Sequence, residues 1–393
     1  MKSAYIVSIA RTPIGSLGGS LSSLSATKLG SIAIQAAVER SGLDPELITD
    51  ALMGNVISAN LGQSPTKQAV LGANLSMKIN STVINKVCAS GLKSIALAAQ
   101  SIQLGLADAV IAGGMESMSN TPHYLPDMRW GVKFGGSSVV DGLQKDGLTD
   151  AYDHSAMGLC GDETATKLNI SREEQDLYAI RSYTKSAETT AKGGFKNEII
   201  PVSIPQKKGD PILITEDEEY RKVDFTKIPG LRPAFSPNGT VTAANASTLN
   251  DGASAVLIVS EEYLKKYNLT AIARIVAYAD GEQEPKMFTT ASTISAPLAI
   301  ERSGLTLNDI DYFEVNEAFA VVPLGFSKIL NVDINKINVH GGAISLGHPI
   351  GSSGTRIVVT LSQILQQNKA KYGLATICNG GGGSTSLIIE NLS

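Results

Sequence analysis

The chain repeats itself, and that limits its fold more than any other feature. Residues 37–43 read Ala-Val-Glu-Arg-Ser-Gly-Leu and residues 299–305 read Ala-Ile-Glu-Arg-Ser-Gly-Leu. In each copy an amphipathic helical stretch ends at a glycine suited to the C′ position. An acidic turn (Asp50; Asp309 and Asp311) and an apolar run follow in both. Upstream, Tyr5-Ile-Val-Ser-Ile and Arg274-Ile-Val-Ala-Tyr read as opening strands. Downstream, Ala107-Asp-Ala-Val-Ile-Ala-Gly-Gly matches Tyr372-Gly-Leu-Ala-Thr-Ile-Cys-Asn-Gly-Gly. The pattern alternates between strand-like and helical runs. Three matches in one order point to duplication of an α/β unit.

Between the copies lies different material, about residues 119–247, with Trp130, most of the prolines and the charged run Glu216-Asp-Glu-Glu. It reads as a long insertion, helical over 172–192, with a turn at Lys207-Lys208-Gly-Asp-Pro. Ala255-Val-Leu-Ile-Val-Ser then returns to strand character and completes the first half's sheet. The expected division is 1–118 plus 248–271, an insertion over 119–247, and 272–393. At 393 residues the chain exceeds one ordinary core. A net charge of −4 without a basic stripe argues against nucleic acid as a partner. Three cysteines, Cys88, Cys160 and Cys378, make no disulfide framework and point to a reducing compartment. No Cys-x-x-Cys or His-x-x-x-His spacing supports zinc. The apolar stretch 95–115 is broken by Gln100, Gln103, Asp108 and glycines, so no membrane span is expected. The chain opens directly as a strand, without a signal or transit pattern, and a cytoplasmic location is expected.

Cys88 sits where the β-branched run 82–84 leads through a turn into an Ala/Leu/Ile helix. At a helix N-terminus the dipole and free N–H groups favour a thiolate, the nucleophilic form. The alternative is a small buried hydrophobe. His348 lies in a glycine-rich loop, 340–356, with Pro349 after it, and suits general-base work on a thiol; otherwise it is a solvated loop histidine. Cys378 ends an apolar run and enters Gly380–Gly383, whose N–H groups could hold an oxyanion, or else it is a core cysteine beside a turn. Asn316, before Glu317, could orient a water or merely cap a helix.

Taken together these segments resemble the thiolase family, and within it the acetoacetyl-CoA, biosynthetic-type branch. The likeness spans essentially the whole chain, through Ala10-Arg-Thr-Pro-Ile-Gly, Val87-Cys-Ala-Ser-Gly, Gly113-Gly-Met-Glu-Ser-Met-Ser, Asn245-Ala-Ser-Thr-Leu-Asn-Asp-Gly-Ala, Asn316-Glu-Ala-Phe, Gly347-His-Pro-Ile-Gly and Cys378-Asn-Gly-Gly-Gly-Gly. The resemblance implies an α/β thiolase fold: two duplicated halves in a five-layer αβαβα arrangement, with two mixed five-stranded sheets and an inserted loop domain. It implies a reversible Claisen condensation of two acetyl-CoA to acetoacetyl-CoA by ping-pong acyl transfer. Cys88, activated by His348, carries the acyl group, and Cys378 removes the α-proton of the second acetyl-CoA. One oxyanion hole uses His348 and a water on Asn316; the other uses the N–H groups of Cys88 and Gly380. A degradative 3-ketoacyl-CoA thiolase is the enzymatic alternative, and an inactive acyl-CoA-binding scaffold the non-enzymatic one.

By the same resemblance, Lys222, Val223, Asp224 and Lys227 meet the nucleotide end of coenzyme A, and Ser247 the pantetheine. Met157, Leu148, Phe235, Ala318 and Phe319 line the slot. Coenzyme A is substrate and product, and no cofactor is required for the chemistry. A potassium ion is implied at Tyr183, Ala243, Ala244, Ala246 and Ile344. The segment 119–142 resembles a tetramerisation loop, implying a homotetramer built as a dimer of dimers. Three positions depart from the family: Ala156-Met-Gly replaces a common His-Met-Gly, Cys160-Gly-Asp-Glu replaces Ala-Glu-Asn, and Phe288-Thr289 replaces the Phe-Pro linked to 2-methyl-branched substrates.

Overall fold

The computed structural model describes residues 2–393. Nine strands frame it: β1 Ala4–Arg11, β2 Asp50–Gly54, β3 Asn80–Ile84, β4 Ala109–Ser117, β5 Asn250–Ser260, β6 Ala273–Glu282, β7 Tyr312–Val315, β8 Tyr372–Asn379 and β9 Gly383–Asn391. The first half runs β1-β5-β4-β2-β3 and the second β6-β9-β8-β7. In both, the two innermost pairings are antiparallel and the pairings farther out are parallel. The chain therefore returns after the insertion to a slot inside the first half's sheet, between β1 and β4.

The repeated heptapeptide has the same structure twice. Helix α1 (Ala26–Ser41) ends at Gly42 with φ 70°, and the helix of the second half, Ser292–Ser303, ends at Gly304 with φ 73°. Only a residue without Cβ takes that left-handed conformation freely.

Two features differ from the expected pair of five-stranded sheets. The halves join edge to edge, because the start of β1 pairs with the start of β6 over three residue pairs, from Ala4↔Ile275 to Ile6↔Ala273. In the second half the fifth strand shrinks to an isolated bridge, Phe313↔Ile337. Asn338 explains this. Its φ of 48° turns the chain away, and its side chain takes over the ladder, donating to Val315 O (2.7 Å) and accepting from Val315 N (2.8 Å).

Two helices fill the middle layer, α2 (Ser90–Gln103) and α3 (Ile350–Gln367). Every residue of α3 from Ile350 to Leu365 is buried, as its place between two sheets demands. The outer layers are α1 on the first sheet and Ser292–Ser303 on the second, which completes α, β, α, β, α. Glycines let the central helices touch. A Cβ on Gly91 would lie 2.8 Å from Thr355 N, and one on Gly354 would lie 2.3 Å from Leu92 N.

The insertion carries the capped helix Arg172–Ala191, with a reciprocal Ser171–Glu174 capping box, and a hairpin of Val202–Ile204 with Ile212–Ile214 around the Lys207–Lys208 turn. It is pinned to β1 by Arg11, which is fully buried. Arg11 Nε donates to Glu198 (2.7 Å), and Nη1 and Nη2 donate to the two oxygens of Asp217 (2.7 and 2.9 Å). The Arg-Thr-Pro-Ile-Gly motif thus anchors the insertion. No helix among the described residues is long and apolar enough to cross a membrane.

Candidate active site

Duplication sets the site. Cys88 stands two residues before α2, and His348 two residues before α3. Packing the two helices together brings equivalent positions of the two halves face to face. Cys378 enters from the end of β8 and Asn316 from the residue after β7. The structure therefore gathers Cys88, His348, Cys378, Asn316 and Gly380 at one end of the central helix pair.

The turn carrying Cys88 is strained. Val87 has φ 46°, an unusual value for a β-branched residue. Ser90 Oγ holds it, accepting from Lys86 N (2.9 Å) and donating to Val87 O (2.5 Å), while Asn85 Oδ1 accepts from Val87 N (3.0 Å). Lys86 Nζ reaches Asp280 (2.8 Å) and Ser384 O (3.1 Å), so the turn is tied to the second half as well.

The electrostatics differ from the thiolate expected at a helix N-terminus. Burial pushes the Cys88 thiol up to about 11, against the opposing pull of the Gly380 N–H and its own N–H. Burial and the nearby Cys88 also hold Cys378 well above the ordinary thiol range. Burial, with Arg356 nearby, takes His348 down to about 3. The resting site is a neutral thiol–imidazole arrangement, because desolvation outweighs the helix dipole. Asn316 Nδ2 lies 3.4 Å from His348 Nε2, His348 Nδ1 lies 2.6 Å from Ser353 Oγ, and His348 N donates to Asn250 Oδ1 (2.8 Å).

A cavity of about 640 Å³ opens onto His348. Leu148, Met157, Phe235, Phe319, Ser247 and Lys222, all implied by the resemblance, line it. Phe235 meets Phe319 edge-on at 6.3 Å. Lys222 Nζ bonds Ser16 Oγ and sits 3.8 Å from Glu218 and 4.0 Å from Glu219. The other expected contacts are not brought to the cavity. Val223 packs toward the Tyr178–Tyr183 cluster. Asp224 is taken up by Thr226 and by Lys227 at 3.1 Å on the exposed surface. Ala318 is buried, with only its carbonyl engaged, accepting from Ser247 N (3.0 Å).

Of the residues implied for potassium, Ala243 and Ala246 line the cavity, while Tyr183 and Ile344 pack together in the neighbouring apolar cluster. The carbonyls of Ala243, Ala244 and Ala246 accept no hydrogen bond among the described residues. No group of three or more His, Cys, Asp or Glu among those residues could hold a metal ion.

At the departures, Ala156 caps Met157–Leu168 without a side-chain bond, and exposed His154 does not take a place on the cavity wall. Thr289 spends its hydroxyl on Thr164 (2.5 Å), and Phe288 packs edge-on against Phe319.

Four positioning groups escaped the sequence reading: Ser353, Asn250, Glu116 and Glu317. Glu116 is buried and accepts from four donors, Asn55 Nδ2 (2.9 Å), Val56 N (2.9 Å), Ile57 N (3.3 Å) and Gly351 N (3.0 Å). Glu317 accepts from Tyr178 Oη, Ser182 Oγ, Asn338 Nδ2 and Ile344 N. Each lies inside a motif quoted above, but nothing in a linear motif says what its side chain meets.

The comparisons with known proteins follow this geometry. Residues 4–262 match the family description "Thiolase, N-terminal domain" and residues 269–391 match "Thiolase, C-terminal domain". A probable acetyl-CoA acetyltransferase of Dictyostelium discoideum is 55% identical, over 100% of this chain and 95% of its own length. A cytosolic acetyl-CoA acetyltransferase of Gibberella zeae is 50% identical over 99% and 98%. The human mitochondrial acetyl-CoA acetyltransferase is 51% identical over 100% and 91%. A thiolase of Ascaris suum, solved in complex with coenzyme A, superposes with a TM-score of 0.95 at 43% identity and covers 100% of both chains.

Proposed function

The chain belongs to the thiolase family, and on that premise we propose that its geometry performs the acetyl-CoA C-acetyltransferase reaction. The protein is an acyltransferase. The observation that carries the reading is the meeting of two thiols, Cys378 buried and Cys88 partly exposed, with one imidazole and one amide at the mouth of a cavity that reaches the insertion.

Cys88 Sγ attacks the thioester of a first acetyl-CoA while His348 Nε2 takes its proton. The neutral resting pair makes this transfer coincide with attack, since neither ion is stable alone in the buried site. The departing CoA sulfur takes the Cys378 proton, which leaves Cys378 as a thiolate paired with His348, still protonated on Nε2. Cys378 then takes the α-proton of a second acetyl-CoA, and the carbanion attacks the acetyl-Cys88 carbonyl. Acetoacetyl-CoA leaves, Cys88 recovers its proton from His348 Nε2, and Cys378 keeps the α-proton. The N–H groups of Gly380 and Cys88 already face the Cys88 sulfur, where a tetrahedral oxyanion forms beside it. His348 and Asn316 share one edge and serve the enolate oxygen.

Lys222 is the cation at the cavity for the phosphates of coenzyme A, and Leu148, Met157, Phe235, Phe319 and Ser247 surround the pantetheine. Val223, Asp224, Lys227 and Ala318 act, in this reading, through the segments they belong to. The free carbonyls of Ala243, Ala244 and Ala246, near Tyr183 and Ile344, fit a potassium ion, which would stiffen the cavity wall. Exposed Leu125, Met128, Trp130, Phe134 and Val139 on the insertion support a homotetramer, because so much apolar surface calls for a partner copy. Two free thiols essential to the reaction support a reducing, cytoplasmic setting. We divide the chain as 1–118 with 248–271, 119–247, and 272–393, on the strength of the shared strand order.

The test uses radiolabelled acetyl-CoA. Wild type forms acetoacetyl-CoA, Cys378→Ala accumulates labelled protein without condensing, and Cys88→Ser takes no label. Label on Cys88→Ser, or faster turnover of a longer 3-ketoacyl-CoA than of acetoacetyl-CoA, overturns the assignment.

A further inference from the structure

The ring of His348 is held at both nitrogens, by partners whose hydrogen-bonding capacities differ. Asn316 presents its Nδ2 donor to Nε2 at 3.4 Å. With that amide edge toward Nε2, the matching neutral ring keeps a lone pair on Nε2 and carries its proton on Nδ1. Nδ1 faces Ser353 Oγ at 2.6 Å. Ser353 in turn has an acceptor for its own hydroxyl proton, Pro349 O at 3.1 Å, one helical turn back. The chain of donors runs one way: Asn316 Nδ2–H to Nε2, Nδ1–H to Ser353 Oγ, Ser353 O–H to Pro349 O. Ser353 and His348 are both buried, so no water competes for these positions.

We propose that Ser353 is the positioning residue that keeps His348 in the tautomer with a free Nε2. The inference rests on the reading of His348 as the base for Cys88. The proton on Cys88 Sγ passes to Nε2 as the sulfur–carbon bond forms, stays there while Cys378 gives its own proton to the departing CoA sulfur, and returns to Cys88 when acetoacetyl-CoA leaves. Nδ1 keeps its own proton throughout. No carboxylate bonds Nδ1 among the described residues. A hydroxyl orients the ring without the strong pull of an anion on the imidazolium. Nε2 therefore gives its proton back readily, which suits a reaction run in both directions.

The experiment combines nitrogen-15 NMR of the histidine-labelled protein with single-turnover acetylation of Cys88 by acetyl-CoA. His348 is assigned by its absence from the His348→Ala spectrum. Wild type should show a protonated Nδ1 and a bare Nε2. Ser353→Ala should mix the tautomers and slow acetylation by about 10²-fold with KM within about threefold, and Ser353→Thr, which keeps the oxygen, should restore both. A protonated Nε2 in the wild type overturns the proposal, as does Ser353→Ala with unchanged tautomer and rate. Should Ser353→Ala fail to fold, the wild-type tautomer alone decides. If His348→Ala acetylates Cys88 as fast as wild type, the base reading falls, and the tautomer measurement still judges Ser353.

Discussion

Glu116 is the point where the two halves are locked around the site, and its replacement by glutamine is a sharp test. All four of its partners are donors, two on each oxygen: Asn55 Nδ2 and Ile57 N on Oε1, Val56 N and Gly351 N on Oε2. A carboxamide must put an NH2 group against one of these pairs, so two buried donors lose their acceptor. Each lost partner costs about 1–3 kcal/mol, roughly 2–6 kcal/mol in all. At about 2–4 °C per kcal/mol, melting should fall by at least ~4 °C. Burial lifts the Glu116 carboxyl to about 7, against the pull of the Val56, Ile57 and Gly351 N–H groups, so measurements at pH 8.5 compare the amide with the ionised form. Gly351 lies in the first turn of α3, three residues after His348. Movement there shifts the imidazole relative to Cys88, and a misplacement of ~1 Å costs on the order of 10²-fold in rate. Thermal unfolding and acetoacetyl-CoA thiolysis give both numbers. Glu116→Gln with wild-type melting and wild-type kcat at pH 8.5 would refute the clamp.

Three further outcomes are expected. Because burial raises the Cys88 thiol to about 11, the thiolate is scarcer at neutral pH than in a free cysteine. Its alkylation by iodoacetamide should therefore climb about tenfold per pH unit from pH 7 to 9.5, where an ordinary thiol of pKa ~8.5 levels off; a plateau below pH 9 contradicts the neutral resting pair. Asp217→Asn removes half of a buried bidentate pair with Arg11 and should cost about 3–5 kcal/mol, read by denaturant unfolding, with faster proteolysis around 212–221. Phe235→Ala, at a half-exposed position on the cavity wall, should lose about 1 kcal/mol of apolar contact and raise KM for acetyl-CoA roughly fivefold while kcat holds.

The duplication was legible from a heptapeptide because glycine C-caps and strand periodicity are local properties. Gly42 and Gly304 do the same thing in both halves for the same steric reason. Cys88, His348 and Cys378 stood out as candidates as well, since each lies where a strand or loop runs into a helix or a glycine turn. What a linear reading could not supply is anything set by contacts between distant segments. Asn338 replaces a strand pairing with its side chain, and the fifth strand of the second half is lost. Val223 does not line the cavity because it packs against the Tyr178–Tyr183 cluster, far away in sequence.

The order of residues alone pointed to two similar α/β halves with an insertion between them, and it singled out Cys88, His348, Cys378 and Asn316 as candidates. Only the tertiary structure decided the state of those groups. Ionisation depends on how much water is removed and on which donors face each atom. The sequence put Cys88 at a helix N-terminus, which favours a thiolate. Packing α2 and α3 between two sheets took most of the water from around it, which raises the thiol and favours its neutral form. The same packing placed Ser353 and Asn316 on opposite edges of one imidazole.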